Sequence, residues 1–458
     1  MEPAATNDRR ELAFAGVARQ AVLVRSGEVS ARELVETTLE RIGRLDRELN
    51  AFRVVFDERA LQEADAADGG GGDRPLLGVP IAVKDDAAVA GTPRVLGSNA
   101  HGADEPQDAE LVQLLRAAGA IVIGVTRTPE LALWPFTETA HGGTTRNPWN
   151  LDVTPGGSSG GAGAAVAAAL VPASTGSDGA GSLRVPAACC GLFGLKTQRG
   201  LVPTAPFANV ATGLSVYGFL TRAVADSALL YEVVTSKPYV EAAQRDPGKL
   251  RVALTTKIPP GAAARLKPAQ RRAAEDTAEL LRSLGHEVVE RSPSYGLVGR
   301  NIMIRYFCGA DVEARSMAHP ERLERRTRHV ARAGAAMRRL LAGAIAAQDA
   351  DARRINRIFD DVDVVLSPTL TRAPLPIGAY EGCGAMRTFN GAGGFVAFNP
   401  VWNHIGNPAA AVPAGFDDGG LPLSVQIAGR PDSEPMLLSL AHQLEVARPW
   451  AHARPPVS

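Results

Sequence analysis

Net charge is missing from this sequence. Its 49 lysines and arginines are balanced by 49 aspartates and glutamates, so no global field draws in nucleic acid or an anionic membrane. Cysteine is sparse as well. Cys189, Cys190, Cys308 and Cys383 show neither metal-ligand spacing nor a disulfide framework, which fits a reducing compartment and gives no reason to expect a metal. No apolar run is long enough to span a bilayer, and the polar residues 1–10 carry no signal-peptide pattern, so a cytoplasmic protein is expected. Only eight histidines are present, scattered and with no evident base among them; His404 is the first to test. These absences leave a small molecule as the expected partner, with no cofactor, no nucleic acid and no membrane, and leave homodimerisation open.

What is present is apolar bulk. Hydrophobic residues make up 45% of 458, enough for one oversized domain or two tightly joined ones. Residues 11–49 read as two helices with Gly27 between them. Ser30 caps the second, with Glu33 three residues on and Val29 and Leu34 as a hydrophobic staple. A strand at 52–56, a helix at 60–67 and a glycine loop at 69–72 follow. Residues 77–86 are apolar and β-branched, a buried strand with Lys84 near its end. A lone lysine is more often a surface charge; the apolar approach argues for burial here. A helix at 110–118 and a strand at 121–125 indicate an α/β layered fold.

Irregular sequence at 137–155 leads into a small-residue helix at 162–170, a strand at 171–175 and a loop at 178–186. Residues 188–195 form a buried segment in which Cys189 and Cys190 are small core residues. A strand at 249–255, a helix at 268–284 and a strand at 287–289 make a second βαβ-like unit. Residues 295–359 are helical, and Arg322, Arg325, Arg326, Arg328 and Arg332 read as a solvated face. Strands at 362–366 and 423–427 precede a closing helix at 435–446 and a surface tail.

Chemistry concentrates in two glycine-serine loops, Gly156-Gly157-Ser158-Ser159-Gly160-Gly161 and residues 176–186. Glycine lets backbone approach a substrate where a side chain would block it. A phosphate loop would need Gly-Lys-Ser/Thr at its end, and the first loop runs on as Gly-Ala-Gly-Ala. Gly156 to Gly160 formally satisfies Gly-x-Ser-x-Gly, but that elbow follows a buried strand. The approach here, residues 150–155, is polar and ends in proline. The remaining reading takes Lys84, Ser158 and Ser182 together.

Taken so, the chain resembles the amidase signature enzymes over most of its length. The resemblance rests on Gly78-Val79-Pro80-Ile81-Ala82-Val83-Lys84-Asp85, Arg146-Asn147-Pro148-Trp149-Asn150, Pro155 to Gly161, Asp178 to Pro186, and Gly420-Leu421-Pro422 with Gln426. Five motifs in order, with Ser158 and Ser182 at the family's spacing, are far more specific than any one. The resemblance implies one large α/β domain, a central mixed sheet covered by helices on both faces and a helical portion shaping the substrate pocket. Its parts would be N-terminal helices at 11–49, a catalytic core at about 75–235, a partly helical subregion at about 250–360, and a C-terminal sheet and helix at about 361–450.

It also implies hydrolysis of an amide by a Ser-Ser-Lys triad. Ser182 would be the nucleophile, Ser158 the proton relay and Lys84 the base, its ammonium disfavoured by desolvation. Ser158 would follow a cis peptide bond. The amides of Gly179, Ala180, Gly181 and Ser182 would form the oxyanion hole, with Asp178 and Arg184 fixing the loop. Ser159 is either a support or substrate-facing. The chain departs from the family at Ala180, where glycine is usual, so either that loop is ordinary there or Gly179 carries the bend. It departs again at residues 125–128, expected near the substrate entrance. Val185 stands where glutamine marks the subunit that releases ammonia for tRNA transamidation, which favours an independent amidase over that alternative.

Overall fold

The computed structural model describes residues 6–70, 72–208, 210–261 and 263–458. Residues 1–5 of the polar start and Gly71 of the glycine run lie outside them. Eleven strands form a single sheet: β1 (Phe52–Val55), β2 (Pro80–Lys84), β3 (Ile121–Thr126), β4 (Ala173–Asp178), β5 (Phe193–Lys196), β6 (Val216–Thr221), β7 (Arg251–Leu254), β8 (Glu287–Glu290), β9 (Val364–Pro368), β10 (Ala409–Phe416) and β11 (Pro422–Ala428). Their spatial order is β1-β3-β2-β4-β6-β5-β10-β11-β9-β7-β8. The sheet is mixed. Strands β3, β2 and β4 run parallel, β4 through β9 pair antiparallel, and β9, β7 and β8 are again parallel.

Successive side chains on a strand point to opposite faces, and the core divides accordingly. Ile81, Val83, Val122, Phe219, Ala410 and Val412 join one apolar cluster, with the helices Val224–Thr235, Pro268–Ser283 and Glu434–Ala447. Ala82, Ile123, Leu220 and Ala411 join the other, against the helix Gly160–Ala167. This is the expected central mixed sheet with helices on both faces.

Local structure differs from expectation in places with clear causes. The N-terminal region holds three helices, Thr6–Phe14, Gly16–Arg25 and Ala31–Leu49. The first break falls at Gly16, whose φ is +79°, where buried Asp226 accepts the Ala18 amide at 2.9 Å. The cap at Ser30 is as expected, its hydroxyl accepting the Glu33 amide at 2.9 Å. The small-residue helix starts earlier, at Gly160, and its second residue has no room for a side chain: a Cβ on Gly161 would stand 2.4 Å from the Ala51 carbonyl oxygen and 2.5 Å from the Arg127 amide. The 178–186 loop is shorter than expected because a helix, Arg184–Cys190, begins inside it. Strands β6 and β10 were not anticipated. Of the arginine cluster, Arg322, Arg325 and Arg332 are exposed. Arg326 turns inward over the rings of Trp134 and Phe136, which offer its guanidinium a cation–π surface.

Candidate active site

Strands β2 and β4 lie side by side and parallel in the middle of the sheet. Their alternation sets the site. Lys84 ends β2, and its backbone amide donates to the Thr175 hydroxyl of β4 at 3.0 Å. Two residues on, Ser177 presents its hydroxyl on the same side of β4 as Thr175. The Lys84 ammonium donates to that Ser177 Oγ at 2.7 Å and to Ser158 Oγ at 2.8 Å. It also stands 3.0 Å from Asp86 Oδ2, and the Ser177 hydroxyl donates to the same carboxylate oxygen. Lys84 has no exposure at all. Burial pushes its pKa below the ordinary lysine value, and Asp86, followed by Asp178 and Asp85, pulls in the opposite direction.

Ser158 follows a cis peptide bond from Gly157. Its carbonyl oxygen accepts from the Thr128 hydroxyl at 2.8 Å, so the 125–128 stretch braces the back of this loop. None of residues 125–128 lines the main cavity, which corrects the expectation that they stand at its entrance. Ser159 is buried and off that cavity, its hydroxyl 3.4 Å from the Ser177 amide. Its own amide donates to the Ser182 carbonyl at 3.3 Å. Ser159 therefore ties the two glycine-serine loops together.

Asp178 and Arg184 organise the second loop. The Asp178 carboxylate accepts the backbone amides of Gly181 at 2.7 Å and Leu183 at 3.3 Å, and two guanidinium nitrogens of Arg184, each at 2.9 Å. Arg184 extends further to Gln426 Oε1 and Asn403 Oδ1, both at 2.6 Å, and to the Asn399 carbonyl at 3.1 Å. Burial alone would raise the Asp178 carboxyl, but the charge and hydrogen bonds of Arg184 overcome it and hold the pKa down at about 2. One expectation changes here: the Gly181 amide already serves Asp178, which leaves Gly179, Ala180 and Ser182 as candidate oxyanion donors. The left-handed turn falls at Gly181, with φ +118°, and neither Gly179 nor Ala180 has a positive φ. Alanine at 180 therefore fits an ordinary backbone.

In front of this network lies a cavity of about 800 Å³. Ser158, Ser177, Ser182 and Asp86 form its polar floor, with Lys84 behind them. Much of its wall is apolar, with Trp134, Val185, Phe207, Met303, Tyr306 and Phe389, and Arg94, Arg300, Glu313 and Asn390 also face it. The helix Val298–Ser316 supplies one wall, the place expected of the helical subregion. His404 is not on the cavity. It is fully buried between Asp351, 3.0 Å from Nε2, and Arg305. Burial, the Asp351 contact notwithstanding, pushes its pKa down to about 4. Cys189 and Cys190 are buried, and desolvation raises both thiols, as core residues require. Among the described residues no cluster of metal-type ligands occurs and no helix is long and apolar enough to cross a membrane.

Ser177 and Asp86 are the functional-site residues that sequence reasoning did not single out. Ser177 shares the strand period with Thr175 on β4, whereas Asp86 lies in the turn just after β2, which no period marks.

The amidase family model matches residues 33–438. The chain belongs to the amidase family. The AmiB2 protein of Mycobacterium tuberculosis is 49% identical over 461 residues, covering 98% of this chain and all of the relative. The 6-aminohexanoate-cyclic-dimer hydrolase of Paenarthrobacter ureafaciens is 36% identical over 477 residues, covering 95% of each. The solved structure of a 6-aminohexanoate cyclic dimer hydrolase with its substrate superposes with a TM-score of 0.90 at 32% identity, over 97% of this chain and 99% of that one. This amidase is an amide-hydrolysing enzyme with the amidase-signature fold.

Proposed function

We propose that this amidase hydrolyses its substrate through an acyl-enzyme on Ser182, with Ser158 relaying protons to and from Lys84. The observation that carries the reading is the buried Lys84 Nζ to Ser158 Oγ contact of 2.8 Å at the floor of a cavity that Ser158 and Ser182 both line. A serine hydroxyl is a weak nucleophile at neutral pH and needs a base. An exposed lysine is protonated there and useless, whereas a fully buried one is pushed toward its neutral amine.

Ser182 Oγ attacks the amide carbonyl as its proton passes to Ser158 and the Ser158 proton passes to Lys84. The amides of Gly179, Ala180 and Ser182 receive the developing oxyanion, a kind of contact whose loss typically costs about 100- to 1000-fold in rate. The proton then returns through Ser158 to the leaving nitrogen. Water repeats the cycle to release the acid. Asp178 and Arg184 hold the loop, and Ser159 holds the two loops together.

The apolar walls favour amides with a hydrophobic body. Val185 stands where the transamidation subunit carries glutamine, so the transamidation reading is set aside. Since the solved relative takes a cyclic amide, linear and cyclic amides belong in one test panel, with release of acid and of ammonia or amine measured. Ser182→Ala should abolish turnover of every substrate that the native enzyme accepts while circular dichroism stays native. Retained turnover in Ser182→Ala would remove Ser182 as the nucleophile.

A further inference from the structure

Asp86 has a place in the site that the triad does not explain. Its Oδ2 takes two contacts, from Lys84 Nζ at 3.0 Å and from the Ser177 hydroxyl, which also receives the Lys84 ammonium. Its Oδ1 is buried on the cavity floor and has no hydrogen-bond partner among the described residues. The other carboxylates near Lys84 are committed elsewhere. Asp85 pairs with Arg53 at 3.0 Å, and Asp178 with Arg184 at 2.9 Å. From the neighbouring strand β6 only the Tyr217 hydroxyl reaches Asp86, donating to its backbone carbonyl at 3.0 Å. Arg94 and Glu313 face the same cavity, and Arg94 lies 3.8 Å from Glu105. Lys84 is thus the one cation in contact with the Asp86 carboxylate among the described residues.

This creates a difficulty for a lysine base acting alone. An ionised carboxylate at contact distance stabilises the ammonium, the form that cannot accept a proton. We propose that the base is the pair Lys84–Asp86, with Asp86 the positioning residue that takes a proton from Lys84 when Lys84 accepts one from Ser158. The proposal rests on the triad assignment above.

The steps balance. At rest the pair is an ammonium facing a carboxylate, with no net charge. As the bond between Ser182 Oγ and the carbonyl carbon forms, the Ser182 proton moves to Ser158, the Ser158 proton to Lys84 and one Lys84 proton to Asp86. The pair then holds an ammonium and a carboxylic acid, net charge +1, balanced by the oxyanion. When the carbon–nitrogen bond breaks, the chain reverses and the proton leaves on the nitrogen. The proton arrives on Oδ2, the carboxylate oxygen in contact with Lys84 Nζ. Ser177 keeps the two heads aligned.

The test uses the full-length enzyme and a serine-directed fluorophosphonate, whose labelling rate reports activation of Ser182 without the natural substrate. Labelling is followed from pH 5 to 10 in the native protein, Asp86→Asn and Asp86→Glu, beside amide turnover. In the native pair the acid limb marks protonation of the carboxylate beside the ammonium; without that carboxylate the base is the Lys84 amine, which keeps its proton to higher pH, so in Asp86→Asn the acid limb should move up by about 1–3 units. The plateau rate should fall by tenfold or more, because Lys84 then has no carboxylate to which it can pass the proton it accepts. Asp86→Glu should keep the native limb. An unmoved or lowered limb in Asp86→Asn, with or without a slower plateau, would overturn the proposal and leave Lys84 the base alone. If Asp86→Asn does not fold, Asp86→Ser, which is neutral and smaller, gives the same reading. A native enzyme that turns over amide but is never labelled at Ser182 would overturn the triad assignment itself, and this proposal with it.

Discussion

Arg184 grips Asp178 with two guanidinium nitrogens, each 2.9 Å from a carboxylate oxygen, and neither side chain is exposed. The same arginine reaches Gln426, Asn403 and the Asn399 carbonyl. Replacing Arg184 by methionine keeps most of the volume and leaves a buried, uncompensated carboxylate. Removing one partner of such a pair costs about 3–5 kcal/mol. Urea denaturation should show a loss of that size, and the variant should also lose activity, because Asp178 holds the Gly181 and Leu183 amides.

The pair makes stability depend on pH in a definite direction. Asp178 is held down at about 2 in the folded protein, against an unfolded value of about 3.9. Its contribution, about 2–3 kcal/mol, is therefore complete above the unfolded value and is lost as pH falls toward the folded one. Asp85 and Asp226, pushed up to about 6 by burial, act in the opposite sense between about pH 4 and 6. The Asp178 loss should thus appear as a fall in the urea midpoint below about pH 4, and the Arg184→Met protein should lack most of it.

Lys84→Ala removes the amine that Ser158 contacts at 2.8 Å. Positioned proton transfer contributes about 100- to 10,000-fold, so amide hydrolysis should fall by at least 100-fold, measured as kcat/KM. A loss below tenfold would exclude Lys84 as the base. In the native enzyme activity should decline as pH drops, because acid protonates the group that must take the Ser158 proton.

Gly161→Ala puts a methyl group 2.4 Å from the Ala51 carbonyl oxygen and 2.5 Å from the Arg127 amide. Both are backbone atoms and cannot swing aside. Overpacking typically costs about 1–3 kcal/mol, and the upper end is expected here, read as a lower denaturation midpoint with the activity per folded molecule reduced.

Much of this was legible in the chain because the relevant signals are local. The apolar, β-branched approach to Lys84 marked a buried strand, and β2 is buried along its whole length. Ser30 and Glu33 marked a helix start that the structure has. The misses are tertiary. Strand β10 begins Ala-Ala-Ala-Val-Pro-Ala, a poor strand former by composition, and is made a strand by β5 and β11 on either side. The helix at Arg184 was hidden inside a glycine loop because its start depends on a carboxylate six residues earlier. Asp86 and Ser177 went unnoticed since neither belongs to a triad, and only the side-by-side placement of β2 and β4 brings them onto one amine.

The partners of Arg184 have a consequence for how the enzyme comes into being. Asn399, Asn403 and Gln426 lie more than 200 residues beyond Arg184 in the chain, and β11, which carries Gln426, is also a central strand of the sheet. During synthesis the Ser182 loop therefore leaves the ribosome long before the groups that hold it. Contacts of such long range form late and slowly. A nascent chain stopped before Pro422 has Lys84, Ser158 and Ser182 and lacks both Gln426 and β11, so hydrolytic competence should arrive only once β11 has emerged.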